Sequence, residues 1–206
     1  MILWFHMKIV LFDFDGVIVD SFAAAYKINA ARFNPLTAEE YRRWFDGNIG
    51  KELKKRLSEN SVTDFFAEYA TELGSMAIVP GIVEVIVALA QKYTLAIISS
   101  SHSSAIKKFL ETHGLEKYFK EILGYDIETS KVIKIRTVME ESKISPNDCV
   151  LITDTLGDIR EANEAGIKSL AVTWGYHDKE TLKSGSPYAL ATIPPELVSM
   201  VDQYLR

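Results

Sequence analysis

The chain has 206 residues, of which 48% are hydrophobic, so it is long enough to bury a sizeable core in one domain or two. Its 28 Asp and Glu residues outnumber its 23 Lys and Arg residues, and the formal net charge of -5 at pH 7 offers no basic surface for nucleic acid or anionic lipid. No run reaches the ~20 apolar residues that cross a membrane, and the apolar start Met1–Phe5 is too short for a signal peptide, so we expect a cytoplasmic protein with a small-molecule partner.

Two carboxylates, Asp13 and Asp15, stand where the first apolar run of the chain ends. We predict a strand over residues 8–14, and side chains two residues apart in a strand point to the same side. Like charges held that close repel and shift each other's pKa, which a bound cation or a catalytic role for a proton would justify. The pair therefore predicts a functional site at the end of the first strand.

The segment that follows has helical patterns and no strand-like run. Thr37 and Glu40 predict a capping box at the start of its second helix. The pattern predicts a small helical domain over residues 21–77, inserted into a larger domain made of residues 1–20 and 78–206. Its four helices are predicted at about residues 22–33, 38–46, 51–59 and 64–76.

Strand and helix patterns alternate in the rest of the chain, which predicts a doubly wound α/β domain. The strands are near-continuous apolar runs, typical of a parallel sheet covered by helices on both faces. Gly114 and Gly166 follow two of the helices, where glycine supplies a left-handed C-cap. The single cysteine, Cys149, begins one of the strands and predicts a buried thiol in a reducing compartment. The predicted strands are residues 94–98, 149–153 and 169–173, and the predicted helices are residues 82–91, 104–113, 132–142 and 158–165.

Polar residues follow three of the predicted strands. Asp13, Ser99 and Asp154 each stand where an apolar run ends. Because ligands bind beyond the carboxyl ends of the strands in such sheets, we expect these three side chains to converge. A candidate nucleophile, a hydroxyl and a second carboxylate are the components that a phosphate-and-metal site needs.

The segment Asp13-Phe-Asp-Gly-Val resembles the first motif of the haloacid dehalogenase superfamily, Asp-x-Asp-Gly followed by Thr or Val. Ser99 matches the second motif, with Ser100 and Ser101 as weaker candidates. The resemblance covers nearly the whole chain and is to the phosphoglycolate phosphatase-like subfamily, which has a small helical cap of the first type after the first strand.

The other two motifs of the superfamily match less completely. Lys131 occupies the place of the third motif, but the Pro that often follows is absent and Lys134 is a rival. Asp154-Thr-Leu-Gly-Asp158 matches the acidic fourth motif, although Thr153 stands where Gly is common. The resemblance therefore assigns all four motifs, with the lysine open between two candidates.

The resemblance implies an Mg²⁺-dependent phosphatase that works through an aspartyl-phosphate. Asp13 would be the nucleophile and Asp15 the general acid and base. Ser99 and Lys131 would hold the phosphoryl oxygens. The implied metal-binding residues are Asp13, Asp15 through its carbonyl, Asp154 and, directly or through Lys131, Asp158.

The glycine-rich turn of the helical segment is the predicted substrate contact. We expect Gly47, Lys51 and Arg43, together with Ser100 of the larger domain, to contact the substrate. Phosphoglycolate, a sugar phosphate or a nucleoside monophosphate would each suit this small phosphorylated partner. The sequence is compatible with a monomer or a homodimer.

Two alternatives to a phosphatase stay open. A phosphosugar mutase of the same superfamily uses the same residues, but the resemblance would add a His in the first cap helix, where this chain has Ala23, Ala24 and Ala25. A catalytically silent binding module would normally lack one of the acidic motif residues, and none is missing. Asp15 favours phosphoester chemistry over carbon–halogen cleavage, which relatives perform with another residue at this place.

Overall fold

The described residues form one six-stranded parallel sheet in the order β3-β2-β1-β4-β5-β6. The computed structural model describes residues 7–56 and 58–206, so the apolar run Met1–Phe5 lies outside the described residues. No helix in these ranges is long and apolar enough to cross a membrane. The strands are β1 (Ile9–Phe12), β2 (Thr94–Ile98), β3 (Phe119–Leu123), β4 (Cys149–Thr153), β5 (Lys168–Val172) and β6 (Ala189–Ala191).

The predicted strands are the central ones, and two edge strands were missed. β2 and β4 match their predicted bounds, whereas β1 and β5 end earlier than predicted. β1 is buried along its whole length, but β3 is mostly half-buried and β6 has only three residues. An edge strand contacts one neighbour and can expose part of its surface, so β3 and β6 lack the continuous apolar run by which strands were recognised.

Helices cover both faces of the sheet, as the doubly wound prediction requires. Val10 and Phe12 of β1 pack in one apolar cluster, and Ile9 and Leu11 pack in another on the opposite face. The ten α-helices of the described ranges are α1 (Phe22–Arg32), α2 (Ala38–Arg43), α3 (Ile49–Arg56), α4 (Glu59–Leu73), α5 (Ile82–Ala90), α6 (Ser103–Thr112), α7 (Lys131–Ser142), α8 (Leu156–Ala165), α9 (Lys179–Ser184) and α10 (Glu196–Tyr204).

Capping residues mark the ends of several helices, as the sequence predicted. The capping box at Thr37 is confirmed, because its hydroxyl accepts the backbone N–H of Glu40 and the Glu40 carboxylate accepts the backbone N–H of Thr37. Gly114 and Gly166 both have positive φ, as predicted for helix C-caps. The sequence analysis missed α9 and α10.

Helices α1 to α4 form a cap between β1 and α5, and the boundary of this cap at residues 21–77 stays a prediction. The two chain connections of the cap run side by side. The backbone N–H of Asp20 donates to the carbonyl of Ala77 at 3.0 Å, and the N–H of Val79 donates to the carbonyl of Ile18 at 2.9 Å. The cap is therefore joined to the larger domain by a pair of mutually bonded segments.

A second contact joins the cap to the larger domain near the start of α7 and α8. Asn48 donates its side-chain amide to the carbonyl of Thr129 at 3.0 Å and to Oε1 of Glu161 at 2.9 Å. At Gly157, an added Cβ would lie 2.2 Å from the carbonyl oxygen of Gly47. Only glycine permits this approach, so the glycine-rich turn of the cap lies directly against the first turn of α8.

Candidate active site

Asp13 lies at the end of β1 and is 5% exposed. One carboxylate oxygen, Oδ1, accepts the backbone N–H of Phe14 at 2.8 Å, and Oδ2 lies 2.9 Å from Nζ of Lys131. Burial raises the pKa of Asp13 well above its usual value, the nearby carboxylates of Asp158 and Asp154 raise it further, and the Lys131 ammonium opposes them. The cation therefore supports the ionised form that a nucleophilic carboxylate needs.

Lys131 begins helix α7 and is buried between two carboxylates. Besides Asp13, its ammonium contacts Oδ2 of Asp158 at 2.6 Å, and the same oxygen accepts the hydroxyl of Thr153 at 2.7 Å. Burial disfavours the charged amine, but the charges of Asp13 and Asp158 outweigh it and raise the pKa of Lys131. The predicted third-motif lysine is thus a fixed cation beside the predicted nucleophile.

Lys134, the rival lysine, is turned to another partner. Its ammonium donates to the backbone carbonyl of Ser99 at 2.6 Å. Burial and the charge of Lys131 lower the pKa of Lys134 to about 8. Of the two lysines, Lys131 is the one in contact with Asp13, and this geometry favours it for the phosphate-binding role.

Asp15 is held by two hydroxyl groups, one of which comes from the cap. Ser101 donates its Oγ to Oδ2 of Asp15 at 2.6 Å, and the phenol of Tyr69 in α4 donates to Oδ1. Burial and the charge of Asp15 raise the pKa of Tyr69 well above its usual value, so this phenol stays protonated and acts as a donor. Sequence reasoning missed Tyr69, which stands 54 residues from Asp15 in the chain.

The three consecutive serines after β2 have different surroundings. Ser99 is fully buried, and its hydroxyl accepts the backbone N–H of Ser101 at 3.0 Å. Ser100 and Ser101 line the cavity above the sheet, whereas Ser99 is not part of that lining. The predicted second-motif hydroxyl therefore stands behind the two serines that face the cavity.

Asp154 is buried at the end of β4 and is only partly satisfied by hydrogen bonds. Its Oδ2 accepts the backbone N–H of Tyr176 at 2.6 Å, but its Oδ1 is buried with no hydrogen-bond partner. Burial and the charges of Asp158 and Asp15 raise the pKa of Asp154 to about 8, against that hydrogen bond and Lys131. Gly16 has a φ of +70°, and a Cβ there would lie 2.0 Å from Oδ2 of Asp154, so the glycine of the first motif makes room for this carboxylate.

A small cavity lies between the cap and the carboxyl ends of the strands. Of the four residues expected to contact the substrate, Gly47 and Ser100 line the cavity, whereas Arg43 and Lys51 do not. Arg43 pairs with Glu39, and its side chain is 66% exposed. The lining residues are Asp13, Asp15, Ala25, Tyr41, Phe45, Gly47, Ile49, Leu53, Phe65, Tyr69, Ser100, Ser101, Lys131, Thr155, Asp158 and Tyr176.

This arrangement of motifs agrees with the family whose model matches most of the chain. The model of the haloacid dehalogenase-like hydrolase family matches residues 10–172. The chain belongs to this family.

Relatives of this haloacid dehalogenase-like hydrolase cover nearly its full length. It is similar to a phosphoglycolate phosphatase of Vibrio parahaemolyticus, with 27% identity over 95% of this chain and 96% of the relative. It is also similar to the probable phosphatase IndB of Dickeya dadantii, with 28% identity over 96% of this chain and 95% of the relative. The crystal structure of a predicted phosphatase from Clostridium acetobutylicum has the same fold, with a TM-score of 0.80 and 22% identity over 96% of this chain and 99% of that chain.

The carboxylates of this hydrolase can be tested for their fit to a divalent cation. Among residues 7–56 and 58–206, no group of three or more His, Cys, Asp or Glu side chains is arranged to hold a metal ion. The Oδ1 of Asp154 is buried with no hydrogen-bond partner and so can accept a cation. The Oδ1 of Asp13 accepts the backbone N–H of Phe14 and keeps a second lone pair, whereas Oδ2 of Asp158 already accepts from both Lys131 and Thr153. Mg²⁺ is commonly held by one or two carboxylates and completed by water and substrate phosphate, so Asp13 and Asp154 fit it.

Proposed function

We propose that this protein is an Mg²⁺-dependent phosphatase that hydrolyses a small phosphomonoester through an aspartyl-phosphate intermediate, and that it acts in the cytoplasm. The observation that carries the proposal is a set of three buried charged residues. Asp13 follows β1, Asp154 follows β4, and Lys131 begins α7. A carboxylate nucleophile, a fixed cation and a carboxylate oxygen that lacks a partner are the parts that phosphoryl transfer to Asp requires.

In the first half of the proposed reaction, Asp13 attacks phosphorus and the bond to the leaving oxygen breaks. Asp15 delivers its proton to that oxygen, so the product leaves as a neutral alcohol. In the second half, Asp15 takes a proton from water, whose oxygen attacks the aspartyl-phosphate and releases inorganic phosphate. Asp13 is then regenerated as a carboxylate.

The remaining groups stabilise charge during both steps. Lys131, at 2.9 Å from Asp13, is placed to attract the oxygens of the phosphoryl group. Bound Mg²⁺, held by Asp13, Asp154 and the carbonyl of Asp15, would offset the repulsion between the carboxylate nucleophile and the phosphate dianion. Asp158 keeps the Lys131 ammonium in position.

Removal of the metal is expected to abolish activity, and this experiment tests the proposal. Phosphate release from a panel of small phosphomonoesters should fall to background in EDTA and return with excess Mg²⁺. Mg²⁺ should also raise the melting temperature of the wild type but not that of Asp154→Asn, because this substitution removes a metal-binding oxygen. Asp202→Asn, which changes a carboxylate of α10 bonded to Lys92, is the control and should respond to Mg²⁺ like the wild type.

Full activity in EDTA would contradict the proposed metal dependence. An equal Mg²⁺ response of the wild type and Asp154→Asn would remove Asp154 from the metal site. No phosphate release from any ester would favour the mutase or the silent binding module. One observation argues against the mutase. The mutase resemblance would add a His in the first cap helix, but the residue of that helix that lines the cavity is Ala25.

Tyr69→Phe is expected to lower kcat about tenfold with little change in melting temperature, because it removes one hydrogen bond to Asp15 and keeps the ring in the cap. Initial rates and thermal melts measure the two effects. Tyr26→Phe is the matched control, since the Tyr26 phenol donates to the carbonyl of Leu36 at 2.8 Å, away from the cavity. The same kcat in Tyr69→Phe and the wild type would show that Asp15 does not depend on the cap tyrosine.

A further inference from the structure

The cap side of the cavity is an apolar wall. Besides the small side chain of Ala25, six side chains form it, four aromatic and two aliphatic, and no charged cap residue in the described ranges joins them. The wall is held by ring contacts, among them Phe45 against Tyr41 with centroids 5.3 Å apart. These six larger residues are Tyr41, Phe45, Ile49, Leu53, Phe65 and Tyr69.

Every charged side chain of the lining belongs to the phosphate end of the cavity. Within the described ranges, the lining contains one cation, Lys131, which is already paired with Asp13 at 2.9 Å and with Asp158 at 2.6 Å. A carboxylate on the leaving group would therefore lie against apolar side chains and beside Asp15, without a cation of its own. Burying such a charge is strongly unfavourable.

The cations of the neighbouring cap segments are engaged outside the cavity. Arg42 donates its Nε to the carbonyl of Tyr176 at 2.9 Å, and its guanidinium lies 4.0 Å from the ring centroid of Phe22. Arg43 pairs with Glu39 on the exposed side of α2. Neither arginine is therefore placed to supply the missing partner of a carboxylate.

The tyrosines of the cavity offer little to a polyhydroxylated leaving group. Three tyrosines line the cavity, and the hydroxyl of each already has a partner within the protein. Tyr41 accepts from the side-chain amide of Asn29, Tyr69 donates to Asp15, and Tyr176 bonds Ser21. The other hydroxyls of the lining follow β2 and β4 at the phosphate end and belong to Ser100, Ser101 and Thr155. A sugar hydroxyl that faces the cap would therefore lose a bond to water without replacing it, which costs free energy.

We propose that the alcohol released by this enzyme is uncharged and apolar, either an aryl or an alkyl alcohol, and that phosphoglycolate and sugar phosphates are poor substrates. This inference rests on the proposed function. An apolar leaving group matches the wall of aromatic and aliphatic side chains, and an aryl ring can make the edge and offset contacts that aromatic side chains prefer.

The test compares esters of similar size on the wild-type enzyme with Mg²⁺. Propyl phosphate, glycerol 3-phosphate and 2-phosphoglycolate differ mainly in the polarity of the leaving group, and benzyl phosphate adds an aryl ring. We expect kcat/KM for benzyl and propyl phosphate to exceed that for the two polar esters by about tenfold or more. Acetyl phosphate, whose small leaving group needs little of the wall, reports the phosphatase reaction itself.

A pair of variants tests the wall directly. Phe45→Ala should lower kcat/KM for benzyl phosphate about fivefold more than for acetyl phosphate, because it removes a ring that faces the ligand. Phe66→Ala is the matched control, since Phe66 lies next to the lining residue Phe65 but packs against Tyr125 with centroids 4.8 Å apart. The control should change the two substrates equally.

The outcomes separate this inference from the proposed function. Turnover of acetyl phosphate together with a preference for phosphoglycolate or glycerol 3-phosphate would overturn the inference and leave the phosphatase intact. Equal kcat/KM for all four esters would also overturn it. No turnover of any of the four esters or of the acyl phosphate, acetyl phosphate, would overturn the proposed function and the inference with it.

Discussion

Asp13→Asn is expected to reduce phosphate release by more than about 10⁴-fold. The amide has the shape of the carboxylate but cannot form the aspartyl-phosphate. It also leaves Lys131 paired with Asp158 at 2.6 Å, so the substitution should not leave a buried cation without a partner. Rates of phosphate release and thermal melts, measured on the same preparation, give the two quantities.

The control for Asp13→Asn is Asp15→Asn, which places the same change two residues away. In the proposed mechanism Asp15 is the general acid and base, so its loss should reduce the rate by about 10²–10⁴-fold. The reduction should be smallest with acetyl phosphate, whose leaving group needs no proton. If the Asp13→Asn protein folds normally and retains more than about a hundredth of the wild-type rate, Asp13 is ruled out as the nucleophile.

Lys131→Met is expected to lower the free energy of unfolding by about 3–5 kcal/mol and to abolish activity. The ammonium lies 2.9 Å from Asp13 and 2.6 Å from Asp158, so its removal leaves two buried carboxylates facing each other without compensation. Without the ammonium, the pKa of Asp13 would rise further, which disfavours the ionised carboxylate that attacks phosphorus. Denaturant unfolding near pH 7 and phosphate release measure the two effects.

Lys134→Met is the matched control because it changes a buried lysine one helical turn further along α7. Lys134 bonds a single backbone carbonyl, that of Ser99, and its amine has a pKa of about 8. We expect this variant to lose about 1–2 kcal/mol. If Lys134→Met proved as destabilised and as inactive as Lys131→Met, the assignment of the phosphate-binding lysine would have to be reversed or shared.

The central sheet could be predicted because burial on both faces leaves a direct mark in the sequence. Runs such as Thr94–Ile98 and Cys149–Thr153 are apolar almost without interruption, and their bounds match the observed strands. The strand Phe119–Leu123 contains Lys120 and Glu121 because it lies at the sheet edge, so its pattern does not separate it from a loop. The two edge strands of the sheet, β3 and β6, could therefore not be recognised from the sequence.

The motif residues at the strand ends could also be anticipated, because parallel strands bring their carboxyl ends to one side. The contacts that the cap makes with these residues could not be predicted from the sequence. Tyr69 reaches Asp15 only because α4 folds back over the sheet, and no spacing rule joins residues so far apart. The same limit applies to Arg43 and Lys51, which the sequence placed near the substrate and the structure places outside the cavity lining.

One carboxylate oxygen accepts hydrogen bonds from both the cap and the larger domain. Oε1 of Glu161 accepts the side-chain amide of Asn48 from the cap and the backbone N–H of Lys131 from α7, each at 2.9 Å. Two hydrogen bonds to one atom therefore join the cap segment that precedes Ile49 to the start of α7, where Lys131 lies. The position of the cap relative to α7 therefore depends on this direct contact and not on the long stretch of chain between Asn48 and Lys131. If the cap moved relative to the larger domain, the hydrogen bond between Asn48 and Glu161 would be among the first contacts to break.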